Sequence, residues 1–332
     1  MDPLTQGIVG AAAAQSLKKK NNIIIITLLG FLAGLAPDID IFIRSKDDPL
    51  LFLEYHRHFT HSLIFIPVGG LICSIVFYFI FSRHYQLTFA ITYLYSTLGY
   101  ATHGIIDSLT TYGTQLLWPF ADSRIAFNTI SVIDPLFTVP IVFLVILAMY
   151  NNNSSFAMYA IIWVISYQSI AYIQKERAEA SIERYAISQG HKVDSIEAKP
   201  SFGNIVLWKV IYTHENNYYI NAIRLGYNPK IFSGTSIQKI DIKKDFTWLD
   251  KDSQQYKDIE RFNWFSNGYL AFDQQNKNII YDIRFSSLPN SAEGLWGIKV
   301  DKNKRNDSHV EYITNRNRSG KRFYQLLEMI FK

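Results

Sequence analysis

Charge is missing from four long stretches of this chain, and no other feature restricts its fold as severely. Residues 62–82, 86–106 and 154–174 each cover 21 positions without Asp, Glu, Lys or Arg, and residues 132–150 contain only Asp134. An α-helix crosses the hydrocarbon core of a bilayer with roughly 20 predominantly apolar residues, and uncharged runs of that length are rare in soluble folds. The pattern predicts an integral membrane protein with four long spans. Ahead of them, residues 7–17 and 23–36 form two shorter apolar arms joined by Lys18-Lys19-Lys20-Asn21-Asn22. Each arm is too short to stand alone in a bilayer, so a helical hairpin packed on the longer helices is expected. Pro67, Gly69 and Gly70 in one run, and Pro135 and Pro140 in another, predict kinks that a bundle tolerates when neighbours satisfy the freed backbone groups. The three lysines follow the first arm instead of preceding it, which predicts no cleaved signal peptide.

Beyond Gln174 the character changes. Residues 1–174 carry eight Lys and Arg against nine Asp and Glu, whereas the remainder carries 25 against 19, so the net charge of +5 belongs to the second part. It is scattered, not gathered into a stripe, and gives no footprint for nucleic acid. Residues 175–189 read as an amphipathic helix with Ile182, Tyr185 and Ala186 on one side. Short alternating or β-branched runs follow at 204–212, 218–224, 268–272, 279–285 and 295–300, separated by Asn, Gly, Asp and Pro. The expected architecture is an α-helical membrane bundle, four long spans plus the short N-terminal hairpin, followed by a mostly β (α+β) soluble domain. The expected division is a membrane domain at 1–174, a connecting amphipathic helix at 175–197 and the soluble domain at 198–332. Cys73 is the only cysteine, which rules out a disulfide framework and a thiolate metal site.

The chemistry is concentrated in His56-Arg57-His58-Phe59-Thr60-His61-Ser62, which holds three of the eight histidines at the mouth of an apolar run. Neutral imidazole is a common metal ligand. Counting spans places its partners: if residues 23–36 run from face A to face B, then Asp38, Asp40, His56, His58, His61, His103, Asp107 and Asp134 all reach face B. His103 and Asp107, four apart on a predicted helix, share one side of it. Asp38 and Asp40 follow Pro37 in a turn, and Thr60 is expected to cap the helix that begins near His61. Taken singly, Asp107 and Asp134 are ordinary helix caps and His103 an ordinary bundle histidine. Gathered at one depth, where an ionisable group costs roughly 2.5 to 3.5 kcal/mol at mid-span, they argue for a metal site. A mixed oxygen and nitrogen donor set favours Zn²⁺, Mn²⁺ or Fe²⁺ over Mg²⁺ or Ca²⁺, with enough ligands for one or two ions.

These residues, with Met1-Asp2-Pro3-Leu4-Thr5-Gln6-Gly7, Pro37-Asp38-Ile39-Asp40, the segment from His103 to Thr114, Pro119 and Asp134-Pro135, give the chain its resemblance to a known family. It resembles the integral-membrane metal-dependent hydrolases whose bacterial members include a LexA-regulated inner-membrane protein. The resemblance covers the membrane part. It implies a bacterial inner-membrane location and metal-dependent hydrolysis, with Asp38, Asp40, His56, His61, His103 and Asp107 as site residues. Two positions depart from the family pattern: Gln6 stands where His is usual, and His58 where a small residue is usual.

Within that reading, Asp40 is the expected general base and Arg57, whose fork binds two oxygens, the expected grip on an anionic substrate. A site at headgroup level favours a lipid or other membrane-associated phosphoester. The competing readings are a metal-ion transporter or sensor and a structural metal clamp; a transporter would carry ligands near mid-span and a polar path toward Arg83. Sidedness follows the positive-inside rule. Face A carries Lys18, Lys19, Lys20 and Arg83 and face B Arg44, Lys46, Arg57 and Arg124, an equal count that the first arm decides, with three lysines after it and Asp2 before it; the site and the second part of the chain are therefore expected outside the cytoplasm.

Overall fold

Asp2 starts the first helix: its carboxylate accepts from the Thr5 amide at 3.0 Å and Pro3 supplies the first helical residue, so α1 runs Pro3–Ser16. Asn22 likewise caps α2, Ile23–Leu35, which tightens into a 3-10 helix at Ala36–Phe42. The computed structural model describes residues 1–17, 22–315 and 320–332. Lys18, Lys19 and Lys20 lie outside the described residues. The helices that follow are α3 (Leu51–Tyr55), α4 (Ile66–Phe77, closed by a π-helical turn at Tyr78–Ser82), α5 (Phe89–Ser108), α6 (Pro135–Tyr150) and α7 (Ser155–Ser188).

The chain divides into two compact units, the first comprising Met1–Phe42, Tyr55–Tyr172 and Phe202–Asn204. Its centre is α5. A Cβ at Gly99 would collide with the carbonyl of Gly30, and one at Gly10 would stand 2.5 Å from that same oxygen, so α1, α2 and α5 meet backbone to backbone. Above and below this crossing, Ile25, Ile26, Leu29 and Tyr95 form one apolar cluster and Ala33, Cys73 and Tyr100 another. The buried side of α5 also carries Thr92, Ser96, His103 and Asp107.

That burial explains where the expected spans and the observed ones differ. Among the described residues, three helices are long and apolar enough to cross a membrane: Ile23–Phe42, Leu63–Ser82 and Ser155–Ser188. The run at 86–106 does form the 20-residue α5, but its polar groups, turned inward, lower its hydropathy. The run at 132–150 forms a shorter helix of 16 residues. Conversely, the second arm of the hairpin gains a 3-10 extension and reaches 20 residues.

The second unit comprises Ile43–Glu54, Ile173–Ser201 and Ile205–Lys332. Strands β1 (Ser195–Pro200), β2 (Leu207–His214), β3 (Asn217–Arg224) and β4 (Lys230–Phe232) form an antiparallel sheet in that order, and β5 (Ser236–Gln238) also pairs with β3. After α8 (Ile242–Asp245) and α9 (Gln254–Phe265), strands β6 (Leu270–Phe272), β7 (Ile279–Asp282), β8 (Trp296–Lys299) and β9 (Glu311–Thr314) make an antiparallel meander, and α10 (Gly320–Phe331) ends the chain. Ile211, Tyr218 and Ile220 of the first sheet pack with Ala271, Ile283 and Ala292, joining the two sheets in one core. The expected class, helices with apolar spans and then a mostly antiparallel β domain, is what the chain adopts. The amphipathic helix expected to begin at Lys175 is the second half of α7, which runs unbroken for 34 residues with Ala178, Ile182 and Ala186 fully buried.

Candidate metal centre

The histidine segment is held in place by its neighbours more than by its own helices. Phe59–His61 and Leu63–Phe65 are single 3-10 turns. Arg57 adopts a left-handed backbone, φ 68°, which a non-glycine residue holds only when its surroundings enforce it. They do so from three sides. The Arg57 amide donates to Asp40 Oδ2 at 3.0 Å, its carbonyl accepts from the Gln115 amide at 3.1 Å, and Tyr100 donates to the Thr60 carbonyl at 2.7 Å. Gly104 completes the fit, because a Cβ there would strike the carbonyl of His61. Thr60 is not the helix cap expected. It lies inside the 3-10 turn, and its hydroxyl donates to Asp40 Oδ2 at 2.7 Å.

Four side chains from three elements then converge. His61 Nε2 lies 3.0 Å from His103 Nε2, 3.5 Å from Asp38 Oδ1 and 3.4 Å from Asp107 Oδ2, while His103 Nε2 lies 3.2 Å from Asp38 Oδ1 and 3.8 Å from Asp107 Oδ2. A zinc ion held tetrahedrally by nitrogen and oxygen at about 2.0 to 2.2 Å keeps its donors about 3.3 to 3.6 Å apart. The observed edges bracket that spacing.

The protons point the same way. His103 Nδ1 meets the Gly34 carbonyl at 2.6 Å, and a carbonyl only accepts, so Nδ1 carries the hydrogen and Nε2 a lone pair. His61 Nδ1 faces Asp40 Oδ2 at 3.1 Å, the carboxylate–histidine arrangement that orients metal-bound imidazoles. With its hydrogen on Nδ1, His61 directs its Nε2 lone pair at the same spot as His103, and two nitrogens 3.0 Å apart are held there by a metal ion or by a shared proton. Asp107 Oδ2 faces the same spot and is ion-paired with Arg57 Nε at 2.9 Å, whereas its Oδ1 accepts from Gln6 Nε2 at 2.6 Å and contacts the amino group of Met1. The donor set fits a metal ion.

A second group shares one member. Asp38, Asp40 and His56 each offer an atom within 4.8 Å of the others, as do Asp38, His61, His103 and Asp107. Asp38 belongs to both. It is also the open member of the four-residue set, with 26% of its side chain exposed against 0% for His61, His103 and Asp107, and in the second group His56 is open to a similar degree at 28%. His56 Nδ1 lies 2.8 Å from Asp40 Oδ1, and burial pushes its pKa down, opposed by Asp40 and reinforced by Arg57, so the ring is kept neutral.

All six expected ligands are thus together, but Asp40 and Arg57 sit differently from the roles anticipated. Asp40 meets the Arg57 amide, the Thr60 hydroxyl, His61 Nδ1 and His56 Nδ1, so that both of its oxygens are engaged and it orients two histidines. The Arg57 side chain, 4% exposed, places Nε 2.9 Å from Asp107 Oδ2, donates from Nη1 to Thr110 Oγ1 at 2.8 Å and lies over the Tyr112 ring. It braces a ligand. His58 stays in neither group and packs on Trp118 and Tyr55. Asp134 is a helix cap, accepting from the Leu136 and Phe137 amides and from the Tyr167 hydroxyl at 2.7 Å. Sequence reasoning missed Gln6, Thr60 and Thr110 as partners of the site. For Gln6 a signal existed, since the resembling family has a histidine there.

Comparison with known proteins agrees with this architecture. The family model described as YdjM inner membrane protein matches residues 1–178. Among curated relatives, "Uncharacterized protein YfhP" of Bacillus subtilis (strain 168) is 24% identical over 277 residues, covering 81% of this chain and 79% of that one. "Inner membrane protein YbcI" of Escherichia coli (strain K12) is 32% identical over 97 residues, covering 29% of this chain and 54% of that protein. No solved structure matches. With more than half of its length matched, over the part that carries both the apolar helices and the histidine–aspartate cluster, the chain belongs to the YdjM inner membrane protein family.

Proposed function

We propose that the protein is a membrane-bound, metal-dependent hydrolase. The observation that carries this reading is the convergence of His61 Nε2, His103 Nε2, Asp38 Oδ1 and Asp107 Oδ2 at separations of 3.0 to 3.8 Å, on either side of the spacing of a tetrahedral site. Asp38, His61, His103 and Asp107 would hold one ion, and Asp38, Asp40 and His56 offer a place for a second. Zinc suits the set best, with Mn²⁺ and Fe²⁺ as alternatives. When bound, such an ion acidifies a water and polarises a phosphoryl or carbonyl oxygen. The chain's own residues do the rest: Asp40 orients His61 and His56, Arg57 fixes Asp107, and the half-exposed Asp38 marks the side from which a substrate reaches the centre. Four buried groups at the ends of apolar helices favour a substrate that resides in the bilayer, and a lipid phosphoester is the class we propose. By the positive-inside rule the centre faces away from the cytoplasm.

The test is elemental analysis of purified protein, followed by assay of the metal-loaded protein on a panel of lipid phosphoesters. His61→Ala and Asp107→Ala should each lower metal content several-fold and abolish turnover, while His84→Ala, on an exposed turn, changes neither. Equal metal content in all three variants would sink the proposal. Metal without turnover on any member of the panel would leave a binding site and remove the hydrolase.

A further inference from the structure

The segment between the two ligand motifs belongs to the second unit. Asp40 and His56 are separated by 15 residues, and of these Ile43–Glu54 count among the residues of the β-sheet unit. The segment is clipped at its base by the 2.8 Å contact between Asp40 and His56. Within the second unit it is gripped again. Arg261 of α9 holds Asp48 with both ends of its guanidinium, Nη2 to Oδ2 at 2.8 Å and Nη1 to Oδ1 at 3.1 Å, and its Nε reaches Glu54 Oε1 at 2.5 Å.

Arg261 is itself anchored from below. Its Nη1 donates to Asp258 Oδ1 at 2.9 Å, and the buried Asp258 accepts further from Gln254, from His309 Nδ1 at 2.8 Å and from the Val310 amide. Phe52 adds an apolar hold, meeting the Tyr312 ring edge-on at 5.2 Å, and Leu50 is 1% exposed. An isolated surface ion pair is worth little, but a fork-on-fork pair inside a network of partly buried charges restricts geometry as well. Helix α3, which carries Glu54, delivers the chain directly to His56.

We infer that Arg261 is a positioning residue for the metal centre: by gathering Asp48 and Glu54 it fixes the segment whose two ends present Asp40 and His56. This gives the C-terminal unit a task, and it rests on the metal reading above. Losing an orienting partner around a metal ligand costs roughly 10 to 100-fold in affinity. A partner one segment removed should lie at the low end of that range.

Cobalt(II), which reports its coordination through visible absorption, tests the inference on the full-length protein in detergent. Arg261→Gln should weaken Co²⁺ binding roughly 10-fold, alter the visible band and speed hydrogen exchange in residues 43–56, with protection in β2 and β3 unchanged. Arg261→Lys, which keeps the charge but not the fork, should recover part of the affinity. Arg322→Gln breaks a pair of the same kind with Glu293, 2.7 Å apart in the same unit, and should leave Co²⁺ binding as it was. Faster exchange in Arg261→Gln with Co²⁺ affinity and spectrum unchanged overturns the inference alone. Absence of Co²⁺ binding by the unmodified protein overturns the metal reading and this inference with it. If Arg261→Gln unfolds the unit, seen as lost protection in β2 and β3, Glu54→Gln carries the same test with a several-fold effect expected.

Discussion

Arg57 shows how far a single residue departs from what its neighbours in sequence suggest. Flanked by His56 and His58, it reads as a hand extended to a substrate. In the fold its backbone is left-handed and its guanidinium is turned inward against Asp107. Arg57→Gly would relieve a backbone conformation that costs of order 1–3 kcal/mol in a non-glycine residue, yet remove the brace. Leaving Asp107 as a buried uncompensated charge costs about 3–5 kcal/mol, so the expected outcome is a protein that melts lower and holds its metal roughly 10-fold more weakly, read by a chelator competition beside a thermal melt. Unchanged affinity would return Arg57 to a role in gripping substrate. The members of the cluster were legible because histidine and aspartate are scarce in apolar runs. Arg57's partner was not, since a pairing across 50 positions depends on how α5 approaches the histidine loop.

At the level of elements, the charge-free runs announce helices, but only packing decides which face of each is polar. Helix α5 is the case in point, because the groups that lower its hydropathy are those that build the site. Its approach to α2 rests on glycine. Gly99→Leu would force α5 away from Gly30 and draw His103 from the Gly34 carbonyl; overpacking of this kind costs about 1–3 kcal/mol, so both the melting temperature in detergent and the metal content should fall. The β unit hides its own polar core. Strand β1 was not anticipated because Glu197 and Lys199 interrupt its alternation, yet Lys199 is buried and paired with Glu197 at 2.5 Å. Burial works against the Glu197 carboxylate, but the charge of Lys199 holds its pKa to about 2, below the ordinary 4.5. Burial lowers Lys209 to about 7 from 10.5, with Asp282 opposing and Lys199 assisting. The unfolded chain therefore holds a proton between pH 7 and 10.5 that folded Lys209 has released, and stability should rise with pH through that window. Glu197 acts at the other end, its contribution lost as pH falls from 4.5 toward 2. Denaturant midpoints followed by the fluorescence of the buried Trp208 should show both slopes, and Lys209→Met should flatten the alkaline one.

For the whole molecule, a helical half is followed by a mostly β half as the composition suggests, although α7 carries helix past Gln174 to Ser188, and contact between residues far apart in sequence draws 43–54 into the second unit. No local pattern signals that assignment, because the grip on the segment comes from Arg261, more than 200 positions away. The orientation proposed for the bundle is testable on the same scale. A reporter active only in the cytoplasm, fused after Lys332, should stay silent, and a reporter active only outside it should respond; the reverse pattern would invert the topology.

Asp38, finally, is the one carboxylate claimed by both donor groups and the only member of the four-residue set that meets solvent. On the metal reading proposed above, a shared ligand would give assembly an order. The enclosed set of His61, His103 and Asp107 would capture an ion first, and doing so would pin Asp38 in the pose that a neighbouring ion requires. The outer position would then be built by the filling of the inner one, and would empty before it. Such a centre would have a half-loaded state as a regular stage of its life, with one cation locked in the bundle and one place open to exchange with whatever the surroundings supply.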